Sequence, residues 1–266
     1  RATALHLDCL GMTVFAGVRK EADGESLTRV SSPRLTPVIL DVTQEHTIAE
    51  VVAEISASTG GTLGALVNNA GRSLNGPLEL LPVADVRSLF EVNVLGLLAV
   101  TRACIPLLRR GRGRLINISS GHGLLAIPDK SAYAASKFAV QAISDALRLE
   151  LRPFGVFVSN LVVGKVDTGV LGKILEEREK MVTSADPEVL KLYAPLLEFF
   201  DREVKNLPGI HPEEAAKVVA QALTVRKPRA HYFTGPGARK MKNLARLPLG
   251  LRDALMYKAL YGRVPS

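Results

Sequence analysis

Short β-branched apolar runs alternate along this chain with longer stretches whose apolar residues recur every three or four positions, and no other feature constrains the fold as tightly. Thr13–Val18, Pro37–Leu40, Leu63–Val67, Arg114–Ile118, Val156–Val162 and His231–Phe233 read as strands. Gln44–Ser58 places Ile48, Val51, Val52 and Ile55 at helical spacing. Val83–Arg109 and Ala132–Arg152 read as further helices, the first disturbed at Pro106 and the second closed by Pro153 and Gly155. Parallel strands need long crossovers, and those crossovers cover the sheet, so strand–helix repeats predict an α/β class: a doubly wound parallel sheet in three α/β/α layers. The length of 266 residues suits one such domain over 1–266. Two stretches exceed the minimal alternation, a leucine- and phenylalanine-rich helical insert over 170–205 and a tail over 241–266.

Composition narrows the function classes. The formal net charge is +8, which could face nucleic acid, an anionic membrane or an anionic cofactor. The basic residues are scattered through 1–150 and gather only between Arg226 and Lys258, with no aromatic-rich basic motif, so no nucleic-acid partner is expected. Cys9 and Cys104 lie far apart in apolar helical contexts, which suits buried small hydrophobes in a reducing compartment; no disulfide and no metal site is expected. No stretch reaches the ~20 apolar residues of a membrane span. The opening residues have no signal-peptide pattern, and the expected location is cytoplasmic.

Tyr133 and Lys137 stand four apart on one helix, so their side chains share a face. A phenol with its ordinary pKa of about 10 is a poor base at neutral pH, and a neighbouring ammonium favours the phenolate. Lowering that pKa by two or three units takes roughly 3–4 kcal/mol. A lone Tyr-x-x-x-Lys is usually a solvated helix pair. Here Asn117-Ile-Ser-Ser120-Gly ends a strand thirteen positions upstream of Tyr133, and a hydroxyl there can donate to the oxygen the Tyr protonates. Asn68-Asn-Ala-Gly71 also follows a strand, and Asn93 sits inside a helix where Asn has no propensity advantage. Each element has an ordinary structural explanation, as a strand-end turn or a locally bonded Asn; their order and spacing together do not.

With those residues in view, the chain resembles the short-chain dehydrogenase/reductase family, on its steroid and retinol dehydrogenase branch. The resemblance runs from residue 1 to about 235 and rests on Asp41-Val42, Asn68-Asn-Ala-Gly71, Asn93-Val94-x-Gly96, Asn117-x-Ser-Ser120 and Tyr133-Ala-Ala-Ser-Lys137. It implies a Rossmann-type sheet and hydride transfer between a nicotinamide cofactor and an alcohol or ketone. By matching position, Tyr133 resembles the general acid/base, Lys137 the residue that holds the nicotinamide ribose and lowers the Tyr pKa, Ser120 the substrate-orienting hydroxyl, and Asn93 the residue that secures a relay water. Asp41 with Val42, and Asn69, Ala70 and Gly71, match contacts to the adenosine half. Val163–Thr168 is similar to the family's Pro-Gly-x-x-x-Thr, which puts Gly164, Val166 and Thr168 beside the cofactor, although Val163 stands where the family has Pro.

The family's first strand and its Gly-x-x-x-Gly-x-Gly turn would precede the helix that Arg1–Leu10 continues, and neither is in this sequence. The resemblance therefore implies an incomplete sequence, with a break inside the sheet, two unpaired inner edges and weakened cofactor binding. Arg19 and Lys20 follow Val18 with no carboxylate before Glu21, which favours NADP over NAD. The insert supplies Val170, Leu171, Ile174, Leu175, Leu192, Leu196, Leu197, Phe199 and Phe200, as a lid over a large hydrophobic substrate (a steroid, retinoid or similar lipid) or as ordinary packing. The stretch Met241–Tyr261 alternates Leu with Lys and Arg and could touch an anionic membrane weakly. A homodimer or homotetramer is expected. Two other functions compete: reduction of a 3-ketoacyl thioester, and a non-catalytic binding protein on the same fold.

Overall fold

A computed structural model describes residues 1–167, 169–206 and 208–262 of the chain. All pairings between strands are parallel. β1 (Val14–Val18) pairs with β2 (Leu35–Ile39), in register Val14 with Leu35. β3 (Ala65–Asn68), β4 (Arg114–Ser120), β5 (Phe157–Val163) and β6 (His231–Thr234) form a second sheet in that order. β1 and β3 do not pair, so the β layer is interrupted where the sequence leads one to expect it. Strand β2 begins earlier than Pro37, which sits inside it; on a two-stranded sheet every strand is an edge, and an edge tolerates the missing N–H.

Side-chain alternation assigns the helices to two faces. Val14, Ala16 and Val18 turn toward α1 (Ala2–Cys9) and α2 (Glu21–Thr28). Phe15 and Val38 turn toward α3 (Glu45–Ser58) and toward Leu107 of α5 (Leu97–Gly111). In the larger sheet, Leu115 and Val158 pack with Ile48, Val100, Cys104 and Leu108 beneath α3 and α5. Ile116, Leu161 and Tyr232 face Val219 and Ala222 of α9 (Pro212–Thr224) on the other side. The result is the three-layer α/β/α arrangement, and α3 and α5 bridge the interrupted β layer. Leu108 and Leu115 are wholly buried, so truncating either to Ala costs about 2–5 kcal/mol.

Three expectations need correction. The long helix is not disturbed at Pro106, which is accommodated inside α5. It is irregular instead between α4 (Val83–Phe90) and α5, where Glu91–Gly96 forms a π turn around Asn93. One extra residue per turn is what lets a side chain leave the helix surface for a neighbouring loop. The segment Val83–Gly111 is also apolar and long enough to cross a membrane, with mean hydropathy 1.6 over its best window, but half of that window is buried against the sheet. Its composition follows from covering the core. Cys104 is buried as expected, and burial pushes its thiol up to about 11; Cys9 is exposed at the end of α1.

The insert forms α7 (Val170–Ser184) and α8 (Pro187–Asn206), and the tail forms α10 (Ala238–Leu244) and α11 (Leu249–Tyr261).

Candidate active site

Parallel strands put all their carboxyl ends on one edge, which is where open sheets of this kind bind ligands. Ser120 ends β4 there, and α6 (Ser131–Glu150) brings Tyr133 and Lys137 to it one turn apart. The Ser120 hydroxyl is close enough to the Tyr133 phenol to lower its pKa, and it accepts from the His122 N–H at 3.3 Å. Lys137 Nζ donates to the Ile118 carbonyl at 3.1 Å and stands 5.9 Å from the centre of the Tyr133 ring. Asn93 Oδ1 accepts from the Arg72 N–H at 2.8 Å, while its amide donates to the Arg72 carbonyl at 2.9 Å and to Ser136 Oγ at 3.0 Å. Ser136 in turn donates to the Tyr133 carbonyl at 2.7 Å. Asn93, Ser120, Tyr133 and Lys137 thus meet in one cluster.

Burial governs the charges of this cluster. It lowers the Lys137 ammonium to about 8, which leaves it cationic at neutral pH. It raises the Tyr133 phenol above its usual value, and the neighbouring Ser120 hydroxyl draws it back only in part. Desolvation penalises the phenolate more than the protein's own groups around it reward it.

A row of polar side chains sets the strands beneath the cluster. Asn68, Asn117 and Asn160 are register neighbours on β3, β4 and β5. Asn68 donates to Thr101 Oγ1 at 2.7 Å and to Asn117 Oδ1 at 2.9 Å; Asn117 donates to Ser144 Oγ at 2.7 Å; Ser144 lies 3.1 Å from Asn160 Oδ1, and Asn160 donates to Gln141 at 3.0 Å. This ladder ties α5, three strands and α6 together below the reactive edge. A buried polar chain of this kind is stable because each member is satisfied.

The residues matched to the cofactor divide between the two sheets. Arg19 and Asp41 stand at the carboxyl ends of β1 and β2. The Asp41 carboxylate accepts from Thr43 N and Oγ1 at 2.9 and 2.7 Å, which together with Arg19 holds its pKa below the usual range. Val42 lies so close to Gly96 that a Cβ at Gly96 would collide with it, which accounts for the glycine of the Asn93-Val94-x-Gly96 motif. Asn69, Ala70 and Gly71 line the exposed edge after β3. Gly164 is pressed against the Pro236 carbonyl, where only a glycine fits, and Val166 bridges to Ile210. Thr168 lies outside the described residues, as do the side chains of Val170 and Leu171.

Other residues enter that the motifs did not single out. The His122 ring packs edge-on to Tyr133 at 5.8 Å, and burial, with Lys130 nearby, lowers its pKa to about 4. A single His two positions after Ser120 was the one sequence signal for it. The insert lies down on the site: Met181 packs with Leu74, Leu81, Leu89 and Ala132, with Tyr133 and Leu197 at the margin. Leu196 and Phe200 are buried as well, whereas Leu192 is 76% exposed, so part of the insert's apolar set is core and part is surface.

Comparison with known proteins places the chain in a family. A profile of the short chain dehydrogenase family matches residues 1–179. The chain is 33% identical over 262 residues to retinol dehydrogenase 7 of Mus musculus, covering 96% of this chain and 83% of that protein. It is 32% identical over 241 residues to 3-amino-tetrahydro-pyrrolizinone reductase of Xenorhabdus hominickii, covering 89% of this chain and 83% of that protein. Among solved structures, a short-chain dehydrogenase from Streptomyces avermitilis superposes with a TM-score of 0.76 at 28% identity, over 91% of this chain and 86% of that one. A short chain dehydrogenase from Burkholderia cenocepacia in complex with NADP superposes with a TM-score of 0.71 at 27% identity, over 97% and 91%.

Proposed function

The chain belongs to the short-chain dehydrogenase family and is a nicotinamide-dependent oxidoreductase acting on CH–OH groups, and on that premise we propose that it interconverts a bulky, lipid-like alcohol and its carbonyl, with Tyr133 moving the proton. The observation that carries this reading is the meeting of Ser120, Tyr133, Lys137 and Asn93 at the carboxyl edge of the sheet. The cofactor supplies hydride chemistry when bound. The chain supplies the rest. Tyr133 Oη gives its proton to the carbonyl oxygen in reduction and takes the hydroxyl proton in oxidation. Ser120, beside that phenol, holds the same oxygen.

The cluster fits a nicotinamide ribose. A Cβ at Gly71 would stand 3.7 Å from Lys137 Nζ and 3.3 Å from Asn93 Oδ1, so the glycine keeps open a cradle beside a buried cation. Lys137 and Gly71 would hold the sugar hydroxyls there, with Asn69 and Ala70 beside them. Arg19, exposed at the end of β1 with Lys20 following, suits a 2′-phosphate and supports NADP as the cofactor.

The retinol dehydrogenase relatives support a retinoid as the first substrate to try. The insert over 170–205 supports the same reading, since its apolar side chains reach the margin of Tyr133 and would cover a large hydrophobic body. α11 leaves Leu249, Leu251 and Leu255 exposed near Arg252 and Lys258, which supports contact of the tail with an anionic membrane surface. Turnover of all-trans-retinol with NADP⁺ by the wild type and by Tyr133→Phe tests the central assignment. The variant keeps the ring and its packing and loses the proton; its rate should fall by about 10²–10⁴-fold. Equal rates would end the reading.

A further inference from the structure

The insert grips the reactive cluster through two adjacent residues of α7 that point in opposite directions. Arg178 is buried and pairs with Asp129 through Nη1 at 2.8 Å, with Asp201 of α8 through Nε at 2.6 Å, and with the Leu197 carbonyl at 3.1 Å. Asp129 is itself buried, adopts φ +65°, and lies two residues before α6 begins and four before Tyr133. Its second carboxylate oxygen is 3.5 Å from Lys130 Nζ, and its carbonyl accepts from the Gly76 N–H at 2.8 Å. On the other side, Glu177 pairs with Arg72 at 2.9 Å. Arg72 is the residue whose peptide Asn93 brackets from both ends, and its guanidinium also donates to Ser88 Oγ at 2.7 Å.

A buried ion pair is weak evidence for stability, because desolvation cancels much of its attraction; its better-supported use is to specify one arrangement. What this arrangement specifies is the seat of the first turn of α6 and of the loop that follows β3. We propose that Glu177 and Arg178 are positioning residues: with α7 seated, they fix Tyr133 through Asp129 and Asn93 through Arg72, so that closure of the insert and assembly of the reactive cluster are one event. Neither residue touches the reacting atoms. The inference rests on the dehydrogenase reading of Tyr133 and Asn93, and its test is arranged to separate the two.

The variants are Asp129→Asn, which keeps shape and tolerates the left-handed backbone; Arg178→Lys, which keeps one charge on Asp129; and Glu177→Gln, at a partly exposed pair that the fold can lose. Amide hydrogen exchange on each purified full chain is the first readout and needs neither cofactor nor substrate. Asp129→Asn should accelerate exchange in α7 and α8 and, together with them, in residues 131–136; Glu177→Gln should do so in α7 and residues 69–75; Arg178→Lys should recover most of the protection. The second readout is turnover of all-trans-retinol with NADP⁺. The expected kcat loss in Asp129→Asn and Glu177→Gln is about 2- to 30-fold, with KM for NADP⁺ changed less than two-fold. Faster exchange confined to 170–206, or a lower melting temperature with unchanged kcat, would overturn the proposal and leave only packing. If the wild type does not turn over retinol, the substrate reading fails while the exchange result still decides the coupling.

Discussion

Replacing His122 by Phe should flatten the acid side of the protein's stability curve. The His122 ring is held neutral in the fold, its pKa lowered from 6.5 to about 4, first by burial and second by the Lys130 cation. An unfolded chain takes up the proton near pH 6.5, well before the folded one does. The contribution to stability is therefore complete above pH 6.5 and is lost as pH falls toward 4. Linkage gives almost no loss at pH 7, about 2 kcal/mol at pH 5 and about 3 kcal/mol at pH 4. For a chain of this size 1 kcal/mol moves the melting temperature by roughly 2–4 °C, so this one group should lower it by roughly 4–8 °C between pH 7 and pH 5. The substituted ring preserves the edge-on contact with Tyr133 and removes the titration. Thermal melts of both proteins at pH 7, 6 and 5 isolate the effect, since every other titrating group cancels in the difference between them. Lys130→Met should recover only the smaller share, because Lys130 is the lesser cause. Curves for the wild type and the His122→Phe variant that run parallel from pH 7 to pH 5 would refute the argument and mean that water reaches the ring.

Three further outcomes follow from the site. Ser120→Ala removes the hydroxyl that draws the phenol's pKa down, so the alkaline limb of the pH profile for alcohol oxidation should move to higher pH and the rate fall by about 10²-fold; a limb that stays in place would contradict that influence. Asn117→Ala strands Asn68 and Ser144 in the middle of the buried ladder and should cost roughly 2–5 kcal/mol in urea unfolding, whereas Asn69→Ala, at the exposed edge, should cost little. Arg19→Glu should shift the ratio of kcat/KM for NADPH over NADH toward NADH by about 10- to 100-fold if Arg19 faces the 2′-phosphate; an equal loss with both would mean that it does not.

How far the sequence alone carries depends on whether a residue's partner is near it in the chain. Strands and helices announce themselves through periodicity, and Tyr133 with Lys137 through helical spacing, because those relations are local. The break between β1 and β3 is also legible, since it follows from how parallel strands are ordered. The π turn at Asn93 is not: it is fixed by Arg72, twenty-one residues away, whose peptide the Asn side chain brackets. The same holds for Asp129, which belongs to none of the motifs and is one end of a buried ion pair whose other end, Arg178, lies forty-nine residues on. Asn68 and Asn117 read as turn and strand-end residues in their motifs, yet their side chains bond inward along the ladder, and only register shows it.

The charge state of Tyr133 depends on burial as well as on spacing. Helical spacing puts Lys137 beside the phenol, and the pair does approach to 5.9 Å from ring centre to ammonium. An ammonium there favours the phenolate. Burial opposes it twice, by penalising the phenolate and by lowering the ammonium to about 8, and Lys137 spends an N–H on the Ile118 carbonyl. The phenol consequently remains protonated at neutral pH. That is the form reduction consumes, so carbonyl reduction should proceed at pH 7 without any titration of Tyr133, while alcohol oxidation should gain rate steadily as the pH rises. A flat profile for oxidation between pH 7 and pH 10 would show that the ammonium outweighs burial after all.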